Sequence, residues 1–188
     1  RRRRARRRAE IEARPTMSPP GRAPDRLRLA TWNLNSLRAR LPAVERFLDR
    51  AHPDVLCLQE TKTATIPDAT ANRFEQHGYG LAAVGAGLYN GVAIAARHPV
   101  RDARGSGALG VEVLDREPRL ATCIVETDPP LHVASVYVPH GREIGHWHYD
   151  YKLEFLDALT EPQRLRRCDA RDPGRTRRAH PPARHGSR

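Results

Sequence analysis

Residues 28–62 read RLATWNLNSLRARLPAVERFLDRAHPDVLCLQETK, and the fold class follows from how this stretch changes period. Leu27, Leu29 and Thr31 alternate with Arg28, Ala30 and Trp32, the two-residue repeat of a strand. Asn33 and Asn35 then mark a turn, because asparagine side chains bond to nearby backbone and tolerate left-handed dihedrals. From Pro42 the spacing lengthens, and Val44, Phe47 and Leu48 recur at helical intervals after a residue well suited to open a helix. Pro53-Asp54 interrupts, and Val55-Leu56-Cys57-Leu58 is a continuous apolar run of the kind buried on both faces. That run stops at Gln59-Glu60. Strand, helix and strand imply an α/β domain with amides after its first strand and a carboxylate after its second. Open α/β sheets bind ligands at those strand ends.

Working outward, Ile66 to His77 reads as a helix starting near Pro67, and Tyr79 to Val84 and Gly91 to Ala96 as strands around a glycine-rich turn. Leu120 to Glu126 and Leu131 to Val138 read as two more strands, joined by a turn at Asp128-Pro129-Pro130. Tyr149 to Leu159 is an amphipathic helix with Tyr151, Leu153, Phe155, Leu156 and Leu159 on its apolar side. The expected domain therefore spans 26–160. Residues 1–25 are Arg- and Pro-rich with little to bury and are expected to be disordered. The single methionine, Met17, is the expected natural start, with 1–16 upstream of it. Residues 161–188 hold Leu165 as their one large aliphatic side chain and form a second expected disordered segment, whose composition reads as a coding frame lost in GC-rich DNA.

The formal charge is +11, and its location limits what it implies. Residues 1–28 carry 11 Arg against Glu10, Glu12 and Asp25, and 161–188 carry 9 Arg against Glu161, Asp169 and Asp172. The stretch 29–160 has 13 Lys and Arg against 16 Asp and Glu. A mildly acidic core suits a domain that meets phosphates through a bound cation rather than by general basicity. Cys57, Cys123 and Cys168 show no CxxC spacing, and the first two lie in strand patterns as reduced, buried thiols. No apolar run reaches the ~18 residues of a membrane span, and no apolar segment follows the Arg-rich start as in a secretory signal. A cytoplasmic protein with no membrane partner is the expectation.

Taken alone, Asn33, Asn35 and Glu60 offer one carboxylate and two amide oxygens at one rim. Mg²⁺ commonly takes one or two protein carboxylates and completes its shell with water and phosphate oxygens. The plainer alternative is that both asparagines only make turn hydrogen bonds and Glu60 is a solvated strand end. His140, His146 and His148 lack the supporting Cys or carboxylate spacing of a zinc site.

Longer motifs decide between these. WNLNSLRARLP followed by PDVLCLQETK resembles the exonuclease III family of apurinic/apyrimidinic endonucleases, within the metal-dependent endonuclease/exonuclease/phosphatase superfamily. Tyr89-Asn90-Gly91-Val92-Ala93-Ile94 resembles the family's Y-x-G-V-A strand, and Ser135-Val136-Tyr137-Val138-Pro139 its Y-x-P strand end. His148-Tyr149-x-x-Lys152-Leu153-x-Phe155-Leu156 is similar to the helix that follows. The resemblance implies a four-layer α/β sandwich, of which this chain holds the N-terminal half, a mixed sheet with flanking helices. It further implies Mg²⁺, with Mn²⁺ as a substitute, and double-stranded DNA with abasic sites or 3′ ends as substrate. Glu60 then corresponds to the principal metal ligand, and Asn33 to the amide that orients metal and scissile phosphate. Tyr137 corresponds to the catalytic tyrosine beside the phosphate. Asn35 and Tyr89 correspond to substrate-binding positions.

Two departures accompany the resemblance. Relatives carry Asn or Gln where this chain has His140. The family's later G-D-x-N strand end, a further Asp and its terminal Asp-His pair have no counterpart after Thr160. General-base help is worth about 10²–10⁴ in rate, so those absences imply a large loss of activity. The later half is also expected to supply the second sheet, leaving one face of this sheet bare. The family is usually monomeric, but a face of that kind favours self-association.

Overall fold

The computed structural model describes residues 26–85 and 87–160, so the expectations for 1–25 and 161–188 lie outside the described residues. Strand β1 (Leu29–Asn33) leads into helix α1 (Leu37–Ala51). The helix starts five residues earlier than the proline implied. Ser36 caps it, its hydroxyl accepting from the Ala39 N–H at 3.3 Å, and Leu37, Leu41, Val44 and Leu48 form the buried stripe. Pro42 therefore lies inside the helix, where it cannot donate to the carbonyl four residues back and its ring crowds that carbonyl. The apolar stripe outweighs that cost. Because Pro42 is exposed, Pro42→Ala should restore the missing bond without touching the core. A stabilisation of about 1–3 kcal/mol is expected, read as a raised Tm.

Strand β2 (Val55–Gln59), helix α2 (Asp68–Gln76), strands β3 (Gly80–Val84), β4 (Val92–Ala96) and β5 (Val100–Gly105), helix α3 (Glu112–Asp115), strands β6 (Leu120–Val125) and β7 (Leu131–Val136), and helix α4 (Trp147–Thr160) complete the order. The first sheet runs β1-β2-β4-β3 and the second β5-β6-β7. β1 and β2 are parallel, with Asn33 opposite Gln59, while β4 is antiparallel to both its neighbours. The period of two along β2 assigns its faces. Leu56 and Leu58 meet Leu41, Val44, Leu48 and Phe74 of α1 and α2, whereas Val55 faces the second sheet with Val92, Ile94 and Ala96.

That second sheet covers part of the face expected to be bare and leaves the β1 end of it open, where Leu29 is 54 % exposed. Ala121, Cys123, Val125 and Val133 of β6 and β7 bury the inner face of β2 and β4. On the far side, Leu120 packs with Leu114, Tyr151, Phe155 and Ala158 of α3 and α4. Helix, sheet, sheet and helix layers are thus all built from residues 29–160, with the three-stranded second sheet facing a four-stranded first. Residues 99–119 hid this outcome. β5 reads VRDARG, and its alternation is broken by a register shift between Arg101 and Arg104, with Asp102 left-handed at φ 53°. After it, the Asp115 carboxylate gathers four backbone N–H groups. Oδ1 accepts from Gly107 and Leu109 at 2.7 and 3.0 Å, and Oδ2 from Gly110 and Val111 at 2.7 and 3.2 Å. A loop pinned by one carboxylate carries no periodic signal.

Candidate active site

Asn33 and Gln59 are register partners at the carboxyl ends of two parallel strands, so Asn33 and Glu60 emerge side by side. Asn33 Nδ2 donates to Glu60 Oε1 at 2.7 Å, and Asn33 Oδ1 accepts from the Asn35 N–H at 3.1 Å. The turn bond and the contact with the carboxylate therefore coexist on one amide. The backbone around them is held tightly. Leu34 N–H donates to the Gln59 carbonyl at 2.9 Å, Thr61 N–H to Gly91 at 3.1 Å, and Lys62 N–H to Asn90 at 3.0 Å. Asn35, Glu60 and Lys62 all sit in the left-handed region, at φ 51°, 53° and 52°. Such dihedrals cost about 1–2 kcal/mol each for residues with a Cβ. They concentrate where surrounding bonds fix a side chain's aim.

Tyr137 approaches the same carboxylate from the second sheet, near enough for each to shift the other's titration. Its ring lies under the Arg119 guanidinium, 4.8 Å from the centroid, and its N–H donates to the Arg119 carbonyl at 2.7 Å. Arg119 is only 7 % exposed, which requires partners for its charge. It pairs with Glu117, which also accepts from the Tyr151 hydroxyl at 3.2 Å. On the other flank, Lys62 Nζ stands 3.4 Å from Glu60 Oε2 and donates to Asn35 Oδ1.

The hydrogen bond from Asn33 holds the Glu60 carboxyl below the usual carboxylate range, aided by Tyr137 and Lys62 and opposed by partial burial. Burial and the neighbouring Glu60 carboxylate push the Tyr137 phenol up. A depressed carboxyl contributes stability above its unfolded value, and that contribution is lost as pH falls through the folded value. Urea midpoints measured between about pH 3 and pH 6 should therefore decline toward acid less steeply in Glu60→Gln than in the parent chain.

The structure joins Asn33, Asn35 and Glu60 into one bonded cluster with Lys62 and sets Tyr137 beside it. Tyr89 stays outside it, 78 % exposed in the β3–β4 turn, next to Asn90 whose carbonyl holds Lys62. Sequence reasoning missed Lys62 and Arg119. Lys62 stood two places from Glu60 in the decisive stretch, and that proximity was the available signal. Arg119 carried none, because only the pairing of β6 with β7 puts it over Tyr137. The donor set suits a hard cation: Glu60 supplies a carboxylate with a 19 % exposed side chain, so it can be reached from the rim, and Asn33 and Asn35 supply amide oxygens. Such a set leaves most of an Mg²⁺ shell to water and phosphate oxygens, as that ion prefers.

A profile described as the Endonuclease/Exonuclease/phosphatase family matches residues 30–179. An exodeoxyribonuclease of Bacillus subtilis (strain 168) is 33 % identical over 138 residues, which is 71 % of this chain and 50 % of that protein. Among solved structures, an AP endonuclease from Archaeoglobus fulgidus is 35 % identical with a TM-score of 0.63, over 71 % of this chain and 49 % of its own. A 3′ phosphatase from Neisseria bound to a product DNA hairpin is 32 % identical with a TM-score of 0.64, over 72 % and 51 %. The chain thus spans about half the length of these relatives.

Proposed function

The chain belongs to the endonuclease/exonuclease/phosphatase family, and from that footing we propose that it derives its role from Mg²⁺-dependent hydrolysis of DNA phosphodiesters, at abasic sites and 3′ ends, in DNA repair. The observation that carries this reading is the bond between Asn33 and Glu60 at adjoining strand ends, with Tyr137 beside them. The likeness to an AP endonuclease and to a DNA-bound 3′ phosphatase supports DNA as the substrate class.

In this reading Glu60 and Asn33 hold the cation, with Mn²⁺ as a substitute. When bound, the cation polarises a phosphoryl oxygen and offsets charge on the leaving group. The protein's own groups do the rest of the positioning. Asn33 Nδ2 fixes the rotamer of the Glu60 carboxylate. The Tyr137 hydroxyl, once turned from Glu60 toward substrate, donates to a non-bridging oxygen where negative charge grows. Lys62 balances Glu60 in the absence of a cation, and Asn35 gives its ammonium an alternative partner. Asn35 and Tyr89 are assigned to contacts with the DNA backbone.

The test is incision of a duplex bearing a single abasic site, with Mg²⁺ and with the metal chelated. Metal-dependent incision supports the reading. A second reading rests on the Arg-rich ends, in which the chain binds nucleic acid without cutting it. Under that reading binding is salt-sensitive, no incision occurs, and deleting residues 1–16 and 161–188 removes the binding.

A further inference from the structure

The proposed site is divided between two sheets. Glu60 and Asn33 come from the first and Tyr137 from the second. Apolar contact between sheet faces is non-directional and by itself leaves their relative slide loosely defined. We infer that the hydrogen bond between Gln59 and Ser135 is the device that sets the separation of Glu60 from Tyr137, which makes both of them positioning residues. The catalytic meaning of this inference rests on the reading given under Proposed function; its structural content does not.

Gln59 immediately precedes Glu60, and Ser135 lies two residues before Tyr137, so the bridge sits directly behind the site. Gln59 continues the face of β2 that begins with Val55 and includes Cys57, the face turned to the second sheet. There, among apolar neighbours, its amide spends one N–H on each sheet: Nε2 donates to Thr31 Oγ1 at 3.1 Å and to Ser135 Oγ at 3.2 Å. Ser135 in turn donates to the Leu58 carbonyl at 3.0 Å. Thr31 lies two residues before Asn33 on β1. The three strands that carry the site are therefore tied together at the level just beneath it. Gln59 is 8 % exposed and Ser135 0 %. A buried amide in an apolar layer is costly unless its groups are bonded. Its bonds also supply the directionality that apolar packing lacks.

The experiment places ¹³Cζ-tyrosine in the full chain and follows the Tyr137 resonance at one fixed pH, assigned by its absence in Tyr137→Phe. Ser135→Ala removes a single oxygen, and Gln59→Met removes the amide at similar volume. In both, the Tyr137 resonance should move in the direction seen in Glu60→Gln, where the neighbouring charge is gone. Tyr79 and Tyr151, which donate to Pro53 and Glu117, should keep their positions. The double variant should move Tyr137 by less than the sum of the two single changes, since the bond between Gln59 and Ser135 is lost in both. If Gln59→Met fails to fold, Ser135→Ala decides alone. A Tyr137 resonance that stays put in Ser135→Ala while Tm falls would overturn the inference, leaving the bridge a tie between sheets and nothing more. Where the parent chain cuts DNA, kcat should fall about tenfold or more with KM little changed, as expected when reacting groups are misplaced. A parent chain that does not cut would defeat the proposed function, while the resonance test would still decide this one.

Discussion

Glu60→Gln is expected to lower metal-dependent incision of an abasic duplex by at least roughly 10²–10³-fold, the loss typical when one preorganised electrostatic group is removed. The substitution keeps the shape of the side chain, and its amide oxygen can still accept from Asn33 Nδ2, which now stands 2.7 Å from Glu60 Oε1. What disappears is the negative charge that attracts a cation and pairs with Lys62 at 3.4 Å. The fold should survive, because Glu60 lies at the rim and the layers beneath it are apolar. The measurement is the single-turnover incision rate across a Mg²⁺ titration, together with Mn²⁺ binding followed by water-proton relaxation. Weaker Mn²⁺ binding and slower incision at equal Tm are the expected pair of results. Incision at the parental rate would remove Glu60 from the metal site.

Gly91→Ala is expected to lower stability strongly. Gly91 has φ +89°, and a Cβ there would lie 2.3 Å from Thr61 Oγ1. Two costs combine. An alanine in the left-handed region costs about 1–2 kcal/mol, and forcing an atom into a packed site roughly 1–3 kcal/mol more. Thr61 is only 2 % exposed and cannot swing into solvent. Its backbone is also held by the Gly91 carbonyl at 3.1 Å, while Gly91 N–H donates to Pro118 at 3.0 Å. A fall in Tm on the order of 10 °C follows for a domain of this size. Removing the obstructing oxygen with Thr61→Ala in the Gly91→Ala background should recover the packing part and leave the dihedral part. A double variant no more stable than Gly91→Ala would show that the clash with Thr61 is not the cause. Because Thr61 separates Glu60 from Lys62, the single variant should also disturb the candidate site, whereas Pro42→Ala, on the solvent side of α1, should not.

Much of the fold could be read from local pattern. β1, β2, β3, β4, β6, β7, α2 and α4 appear where alternation or helical spacing put them. Elements that bury one face or stripe leave a period in the residues, and β2 and β4, buried on both faces, leave continuous apolar runs. Helix α1 was misplaced at its start because a proline is a stronger signal than the Ser36 cap, although the buried Leu37 and Leu41 outweigh it. β5 and α3 were not legible. A broken register in VRDARG and a loop organised by one carboxylate, Asp115, depend on contacts that have no sequence period.

By itself the sequence determined which groups stand at the strand ends. Asn33 and Glu60 follow from strand boundaries, Tyr137 from a motif, and family membership from their order along the chain. Only the tertiary structure decided that these groups meet. Residues 100–136 return as a second sheet over the first, bring Tyr137 to the Glu60 carboxylate, lay Arg119 over the tyrosine ring and turn Gln59 into a bridge to Ser135. The physical reason is range. Strand and helix periods reflect each residue's own choice between water and core. Hydrogen bonds between residues 76 apart exist only once two sheets have packed, and nothing local in the chain encodes their partner.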